Sequence, residues 1–352
     1  MKKKVLIFVQ SCVGGAERVS VTIGKNLNSE LFDVSYCAVG PWKCDISDFI
    51  SSEQFKYHLQ YASPFRLLVG LYKAICRISP DIIFSSTMYI STKLLLLQPL
   101  FSKIKFVVRS ENTFFTFNTR QRWMIRLLYR NAKKIIAQTD EMRNELIEKA
   151  HLPASKIIVI QNPQDFKMIS VLAQEPSPFK ISSKTFFVAS GRFAHQKGFD
   201  ILVRAFAVVT KKMREAELYI VGSNSGSNEG YYKQICEMIN QLGLTEKIHC
   251  MGYQKNPYVY MKNADCFVLS SRYEGLPNVL IEALYLGTPA AATTCIPAVS
   301  RIVENGKTGY LAKSEDVDSL AEAMLNAVKL GRIHSDSPMD TTHFFNNLFQ
   351  EV

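Results

Sequence analysis

Two glutamates eight residues apart, Glu274 and Glu282, bracket the stretch Gly275-Leu-Pro-Asn-Val279 and the start of an apolar period. Carboxylates accept hydrogen bonds from hydroxyl groups. A helix beginning between them would add free backbone N–H groups and the positive end of its dipole, which suit a phosphate. Proline favours a first turn and Gly287-Thr-Pro289 supplies a stop, so a helix is expected from about Pro277 to Leu286. The same residues also describe an ordinary surface loop and capped helix. A second cluster, Ser190-Gly-Arg-Phe-Ala-His-Gln-Lys-Gly198, puts Arg192 and Lys197 on one loop. Arginine grips a diphosphate in a bidentate fork, and lysine adds a compact charge that can neutralise a leaving group; a solvated charged loop is the alternative. A ligand carrying both a diphosphate and sugar hydroxyls would use both clusters.

The elements that position these residues follow from periodicity. Strands are expected at Lys4–Gln10, Asp33–Val39, Asp81–Ser86, Lys105–Arg109, Lys134–Gln138 and Lys156–Gln161. A second series falls at Thr185–Ser190, Glu217–Gly222, Lys247–Gly252, Asp265–Ser270, Pro289–Thr293 and Gly309–Ala312. Helical patterns lie between most of them, which argues for parallel sheets covered by helices. From Pro163 to Lys184 the rhythm breaks, with Pro176, Pro178 and several serines, and this is the expected hinge between two domains. A length of 352 residues suits two cores rather than one. The expected fold class is α/β, two doubly wound domains facing across a cleft, with ligands at the carboxyl ends of the strands. Near the end of the sequence, Phe344, Phe345, Leu348 and Phe349 keep helical spacing.

Eight cysteines (Cys12, Cys37, Cys44, Cys76, Cys236, Cys250, Cys266 and Cys295) are scattered without C-x-x-C or zinc-like spacing, so reduced, mostly buried thiols and a cytoplasmic setting are expected. The apolar start Val5-Leu-Ile-Phe-Val9 is too short for a signal peptide and reads as a first strand; the stretch around Leu94–Leu97 is far short of a membrane span, and a soluble protein is expected. The charge is uneven: through Asp165 there are 23 Lys and Arg against 13 Asp and Glu, of a net +11 for the whole chain. Its densest part, Arg120 to Arg130 followed by Lys133 and Lys134, alternates arginines with Trp123, Met124, Ile125, Leu127, Leu128 and Tyr129. Such a helix suits an anionic bilayer at the inner face of the cell membrane, or an acidic acceptor, and equally a core helix with a solvated basic face.

At the end of the first strand, Gln10-Ser-Cys-Val-Gly-Gly-Ala-Glu-Arg18 leads into a helix in which Val19, Ile23 and Leu27 keep a period of four. Gly14 and Gly15 permit close backbone approach, but the G-x-G-x-x-G of a dinucleotide site is missing, which argues against a dehydrogenase. Together with Gln161-Asn-Pro163, the Arg192/Lys197 loop, Tyr219-Ile-Val-Gly222, Ser271-Arg-Tyr-Glu-Gly-Leu-Pro-Asn278 with Glu282-Ala283, and Glu304-Asn-Gly-Lys-Thr-Gly309, this loop resembles glycosyltransferase family 4 over nearly the whole chain. The resemblance implies a GT-B architecture of two Rossmann-like domains. Residues 1–165 would form the acceptor-binding domain, 166–335 the domain binding a nucleotide-sugar donor, and 336–352 a helix crossing back to the first domain.

The resemblance further implies retention at the anomeric carbon, no metal and no cofactor beyond the nucleotide-sugar co-substrate. It assigns Arg192 and Lys197 to the diphosphate, Glu282 to ribose hydroxyls and Glu274 to the transferred sugar, with Glu274, Arg192 and Lys197 as the catalytic set. Gly275, Leu276, Pro277, Asn278 and Val279 would offer backbone contacts to phosphates, Gly14 and Gly15 would close over the donor, and Gly252 and Tyr253 would lie near the base. Where many relatives have a histidine, Arg109-Ser-Glu-Asn-Thr113 carries Asn112, which cannot shuttle a proton near neutrality; Arg109, Glu111 and Asn112 are left as acceptor contacts. The expected activity is transfer of a hexose or N-acetylhexosamine, by family habit from a UDP-sugar, to a saccharide or lipid-linked saccharide in bacterial surface polysaccharide synthesis. Nucleic acid is not expected as a partner. Rival readings are a nucleotide-sugar epimerase of the same architecture and a non-catalytic module binding anionic lipid or nucleic acid.

Overall fold

The computed structural model describes residues 2–11, 14–40, 46, 49–61, 63–176, 184–224, 229–334 and 341–352. Cys12, Cys44, Pro178 and the stretch 336–340 of the expected final segment lie outside the described residues. The chain divides into two units: residues 1–164 with 340–352, and residues 165–339.

Unit 1 contains β1 (Lys3–Gln10), α1 (Gly15–Lys25), β2 (Phe32–Val39), β3 (Phe55–Leu59), α2 (Pro64–Ile78), β4 (Ile82–Ser85), α3 (Met88–Leu97), β5 (Lys105–Arg109), α4 (Thr119–Leu128), β6 (Lys134–Ala137), α5 (Asp140–Glu148) and β7 (Ile157–Val159). Unit 2 contains α6 (Phe166–Leu172), β8 (Phe186–Ser190), α7 (Phe199–Lys212), β9 (Glu217–Val221), α8 (Glu229–Gln241), β10 (Ile248–Gly252), α9 (Tyr258–Asn263), β11 (Cys266–Leu269), α10 (Asn278–Tyr285), β12 (Ala290–Thr293), α11 (Pro297–Ile302), β13 (Gly309–Ala312) and α12 (Val317–Ala327). After it, α13 (Thr342–Glu351) belongs to unit 1.

Unit 1 has a seven-stranded sheet in the order β3-β2-β1-β4-β5-β6-β7, and unit 2 a six-stranded sheet in the order β10-β9-β8-β11-β12-β13. Every described strand pair is parallel. Burial on both faces explains why strands such as Val5–Val9 are continuously apolar rather than alternating. In each sheet the strand order reverses once, between β1 and β4 and between β8 and β11.

Two apolar layers flank each sheet. In unit 1, Leu67, Leu71, Leu94, Ile125 and Leu146 from α2 to α5 fill one face. On the other, Val19 and Ile23 of α1 meet Phe345, Leu348 and Phe349 of α13. Phe349 is fully buried and stands edge-on to Phe32 and Phe84, at centroid distances of 6.3 and 5.8 Å.

Two elements depart from the sequence reading. β3, Phe55-Lys-Tyr-His-Leu59, is a half-exposed edge strand without the Val/Ile run that marks its buried neighbours. Within the expected break, α6 is a short helix capped by Asp165, whose side chain accepts the Met168 N–H at 2.9 Å. The thiols also depart from expectation. Of the six described cysteines only Cys37 and Cys266 are buried; Cys76 is exposed and the others are intermediate. No helix among the described residues is long and apolar enough to cross a membrane.

Because Phe349 fills space between two strands and an opposing layer, Phe349→Ala leaves a cavity, and we expect unit 1 to lose about 3–5 kcal/mol of stability. Urea unfolding followed by tryptophan fluorescence reads this unit, since Trp123 lies in it. An unchanged midpoint would mean that the unit 1 core does not depend on α13.

Candidate active site

The residues of the two clusters meet because the strands that carry them are neighbours. β8 and β11 pair in parallel, Cys266 opposite Phe187 and Phe267 opposite Val188, at the reversal point of the unit 2 sheet. Open α/β sheets leave a crevice beyond the carboxyl ends of their strands at such a point. The loop after β8 therefore faces the loop after β11. Lys197 Nζ lies 2.6 Å from Glu274 Oε1, although the two are 77 residues apart, and the same oxygen accepts the Ser271 hydroxyl at 2.6 Å. The pair is largely buried, with side chains 16% and 8% exposed.

Two glycines make this approach possible. Gly198 has φ +62°, and a Cβ there would lie 2.1 Å from the Ser270 carbonyl oxygen. A Cβ on Gly222, after β9, would lie 1.7 Å from the Gly191 carbonyl oxygen. Both contacts are with backbone, which cannot swing aside as a side-chain tip can.

A set of hydrogen bonds staples the two loops. The Arg272 N–H donates to the Gln196 carbonyl at 2.8 Å, the Gln196 side-chain amide to the Tyr273 carbonyl at 3.0 Å, and the Ser270 hydroxyl to the Lys197 carbonyl at 2.8 Å. The Arg272 guanidinium bonds both oxygens of Asp200, each at 2.8 Å, and the His195 carbonyl at 2.8 Å. Tyr231 donates to Asp200 at 2.6 Å. Burial by itself would raise the Asp200 carboxyl, but Arg272 and Tyr231 hold it well below the usual carboxylate range. Asp200 in turn raises the Arg272 guanidinium above its ordinary value. Sequence reading left Arg272, Asp200, Tyr231 and Ser271 without roles; the available signal was that Ser271 and Arg272 sit inside the motif carrying Glu274.

Apart from Gly14 and Gly15, the remaining residues expected to contact a donor lie in the same unit. Arg192 is exposed and has no ion-pair partner among the described residues. Gly275, Leu276 and Pro277 are buried, and Asn278 and Val279 half-buried, at the start of α10. Two amides there are already engaged: the Asn278 N–H with the Leu276 carbonyl at 2.9 Å and the Leu280 N–H with the Pro277 carbonyl at 3.0 Å. Glu282 is buried one turn along α10. Gly252 closes β10 with φ +67°, and Tyr253 beyond it is 51% exposed. Asp316-Val-Asp318 has the D-x-D spacing of a metal-binding motif, which the metal-free expectation passed over. Asp316 Oδ1 accepts the Ser319 N–H at 2.9 Å and caps α12.

In unit 1, Gly14 caps α1 with extended backbone (φ −129°), where a Cβ would lie 2.7 Å from a Glu17 carboxylate oxygen, and Gly15 is open to solvent. Arg109 ends β5 fully buried, its Nε donating to Asn162 Oδ1 at 3.0 Å and its Nη2 to the same oxygen. Asn162 donates to Gln138 at 2.8 Å, and Gln138 to the carbonyls of Ser110 and Glu111 at 2.8 and 3.1 Å. Burial lowers the Arg109 guanidinium to about 10 against the opposing pull of Glu111 and Glu17. Its Nη1 finds no hydrogen-bond partner among the described residues. Glu111 accepts the Met88 N–H at 3.2 Å, and the Asn112 carbonyl accepts the Ser110 hydroxyl at 3.0 Å.

The chain matches two family models: Glycosyltransferase Family 4 over residues 13–167 and Glycosyl transferases group 1 over residues 173–337. It is 37% identical over 175 residues to an uncharacterized glycosyltransferase of Methanocaldococcus jannaschii, a match covering 47% of this chain and 41% of that protein, so less than half of the archaeal relative's length is spanned. It is 24% identical over 334 residues to the capsular polysaccharide biosynthesis glycosyltransferase CapH of Staphylococcus aureus, covering 90% of this chain and 86% of that one. The crystal structure of Anabaena HepE in complex with UDP and glucose superposes with a TM-score of 0.83 over 99% of this chain and 98% of that one, at 18% identity. At that identity the likeness concerns the fold, and it is the GT-B fold.

A depressed carboxyl contributes stability above the ordinary carboxylate pKa and loses it as pH falls toward the folded value. Replacing the guanidinium in Arg272→Gln should raise the Asp200 titration by more than about one unit and remove part of the acid sensitivity of unit 2. Carbon-13 NMR titration of the Asp200 carboxyl measures the shift; an unmoved titration would assign the depression to Tyr231 and the backbone alone.

Proposed function

Since the chain belongs to the glycosyltransferases of family 4 and group 1, we propose that unit 2 binds a nucleotide-sugar, most simply a UDP-sugar, and that the protein transfers its sugar with retention to a saccharide or lipid-linked saccharide in bacterial surface polysaccharide synthesis. The observation that carries this reading is the buried Lys197–Glu274 pair, which sets a cation able to hold a phosphate beside a carboxylate able to accept from hydroxyls at one sheet reversal.

Lys197 and the exposed Arg192 supply positive charge to a departing diphosphate, where charge develops as the glycosidic bond breaks. A diphosphate drawing on the Lys197 ammonium leaves Glu274 free to accept from the sugar hydroxyls, with Ser271 still holding one of its oxygens. Glu282 remains for the ribose. In a front-face transfer the leaving phosphate accepts the acceptor's proton, so no protein nucleophile is needed and no metal is invoked. A capsular polysaccharide relative and a fold neighbour crystallised with UDP and glucose support the substrate class.

The basic helix α4 adds a place of work. Trp123 and Leu127, one turn apart on α4, are 60% and 52% exposed, and Arg126 and Arg130 are exposed in the same stretch of chain. Exposed apolar side chains on a helix rich in arginine suit the interface of an anionic bilayer.

Lys197→Ala and Glu274→Ala should each lower kcat/KM for transfer about 100-fold or more, with circular dichroism showing each variant folded although loss of a buried ion-pair partner lowers its melting temperature; near-normal turnover in either removes its role. UDP, among UDP, GDP and ADP, should raise the melting temperature most. The proton NMR coupling at the new anomeric centre reads retention directly. For the bilayer, binding to phosphatidylglycerol vesicles should exceed binding to neutral phosphatidylcholine vesicles and fall with salt; equal weak binding to both overturns that assignment.

A further inference from the structure

Once a diphosphate draws Lys197 away, the Glu274 carboxylate keeps one partner, the Ser271 hydroxyl on its Oε1 at 2.6 Å. A free loop serine changes rotamer easily. Ser271 is not free, and the group that holds it comes from a third strand. Thr293 closes β12, and its fully buried hydroxyl has a single proton within reach of two carbonyls, Ser271 at 2.7 Å and Leu269 at 3.2 Å. The shorter contact makes Ser271 the better acceptor. Among the described residues the Ser271 carbonyl has no other donor.

The strand order explains the contact. β12 runs parallel to β11 with Leu269 opposite Ala292, the last pair in their register. Ser270 and Ser271 lie past that end, and the Thr293 side chain carries the grip of β12 two residues farther along the neighbouring chain. Those two serines hold both members of the buried ion pair: Ser270 donates to the Lys197 carbonyl at 2.8 Å, and Ser271 to the Glu274 carboxylate. Thr293 is itself fixed on its other flank, where it pairs with Ala312 of β13 and the next N–H, of Thr294, donates to the Ala312 carbonyl at 2.8 Å. A branched side chain on a strand anchored in this way has little rotamer freedom.

We propose that Thr293 is a positioning residue for the transfer: by holding the Ser271 carbonyl, its hydroxyl keeps the Ser271 side chain on Glu274 after the diphosphate has taken Lys197, so that the carboxylate meets the sugar hydroxyls in one orientation. This rests on the transfer reading of the preceding section and adds to it a residue of a third strand that acts only through Ser271.

The test uses the full chain and two probes. UDP reports on the diphosphate side alone. The sugar probe is whichever of UDP-glucose, UDP-galactose and UDP-N-acetylglucosamine raises the native chain's melting temperature most. Thr293→Val keeps the branched shape and removes the hydroxyl. In calorimetry it should bind UDP within about twofold of the native affinity, lose the extra affinity that the sugar supplies, and release UDP from the sugar nucleotide about tenfold more slowly at saturation, the effect of one hydrogen bond. Thr293→Ser, which restores the hydroxyl and lacks only a methyl group, should recover both. Ser271→Ala should show the same split, and Thr293→Val/Ser271→Ala should be little worse than Ser271→Ala, because both changes break one path. Circular dichroism melting of each variant checks that it folds. Equal losses for UDP and the sugar nucleotide, a Thr293→Ser variant no better than Thr293→Val, or additive losses in the double variant would make Thr293 a packing residue and overturn the proposal. Failure of UDP to bind the native chain would strike the donor reading, and this proposal with it; that failure shows in the native chain and the others only in the variants, so the two are distinguishable.

Discussion

Everything at the candidate site depends on two strands being neighbours. β8 and β11 pair through a register of only a few residues, yet that pairing sets their exits side by side where the strand order reverses. A right-handed crossover sends the following helices to opposite faces of the sheet, so the loops between strand and helix have nowhere to go but beyond the carboxyl edge. Lys197 and Glu274 come together as a result of that topology. The glycines at 198 and 222 then let backbone meet backbone closely enough that the geometry is not negotiable.

The bidentate Arg272–Asp200 pair, completed by Tyr231, supports this arrangement from outside. It ties the start of α7 to the loop after β11, and through the His195 carbonyl it fixes the turn that presents Lys197. A charge-assisted, two-bond contact restricts orientation as well as distance. Charges held in place in this way cost no reorganisation at the moment charge develops on a bound group.

Much of the architecture was legible because buried parallel strands are apolar runs, and runs such as Val5–Val9 or Cys266–Leu269 leave little choice. The Glu274–Glu282 helix could be read to within a residue at each end from Pro277 and Gly287. What was not legible lacks a local signature. β3 is an edge strand whose lysine and histidine interrupt the pattern, and α6 is a seven-residue apolar helix too short to show a period inside a stretch punctuated by prolines. Arg272 and Asp200 are 72 positions apart, and nothing in the neighbourhood of either names the other. The buried Arg109–Asn162–Gln138 chain is of the same kind: three polar residues just at or beyond three strand ends whose hydrogen bonds to one another exist only once β5, β6 and β7 are aligned.

The placement of α13 has a consequence for biosynthesis. Phe345 and Phe349 complete the layer against α1, but they follow the whole of unit 2 in the chain. During translation, unit 2 can therefore close its own core while the α1 side of the first sheet still shows bare phenylalanine and valine to the ribosome's surroundings. The amino-terminal unit is synthesised first and finished last.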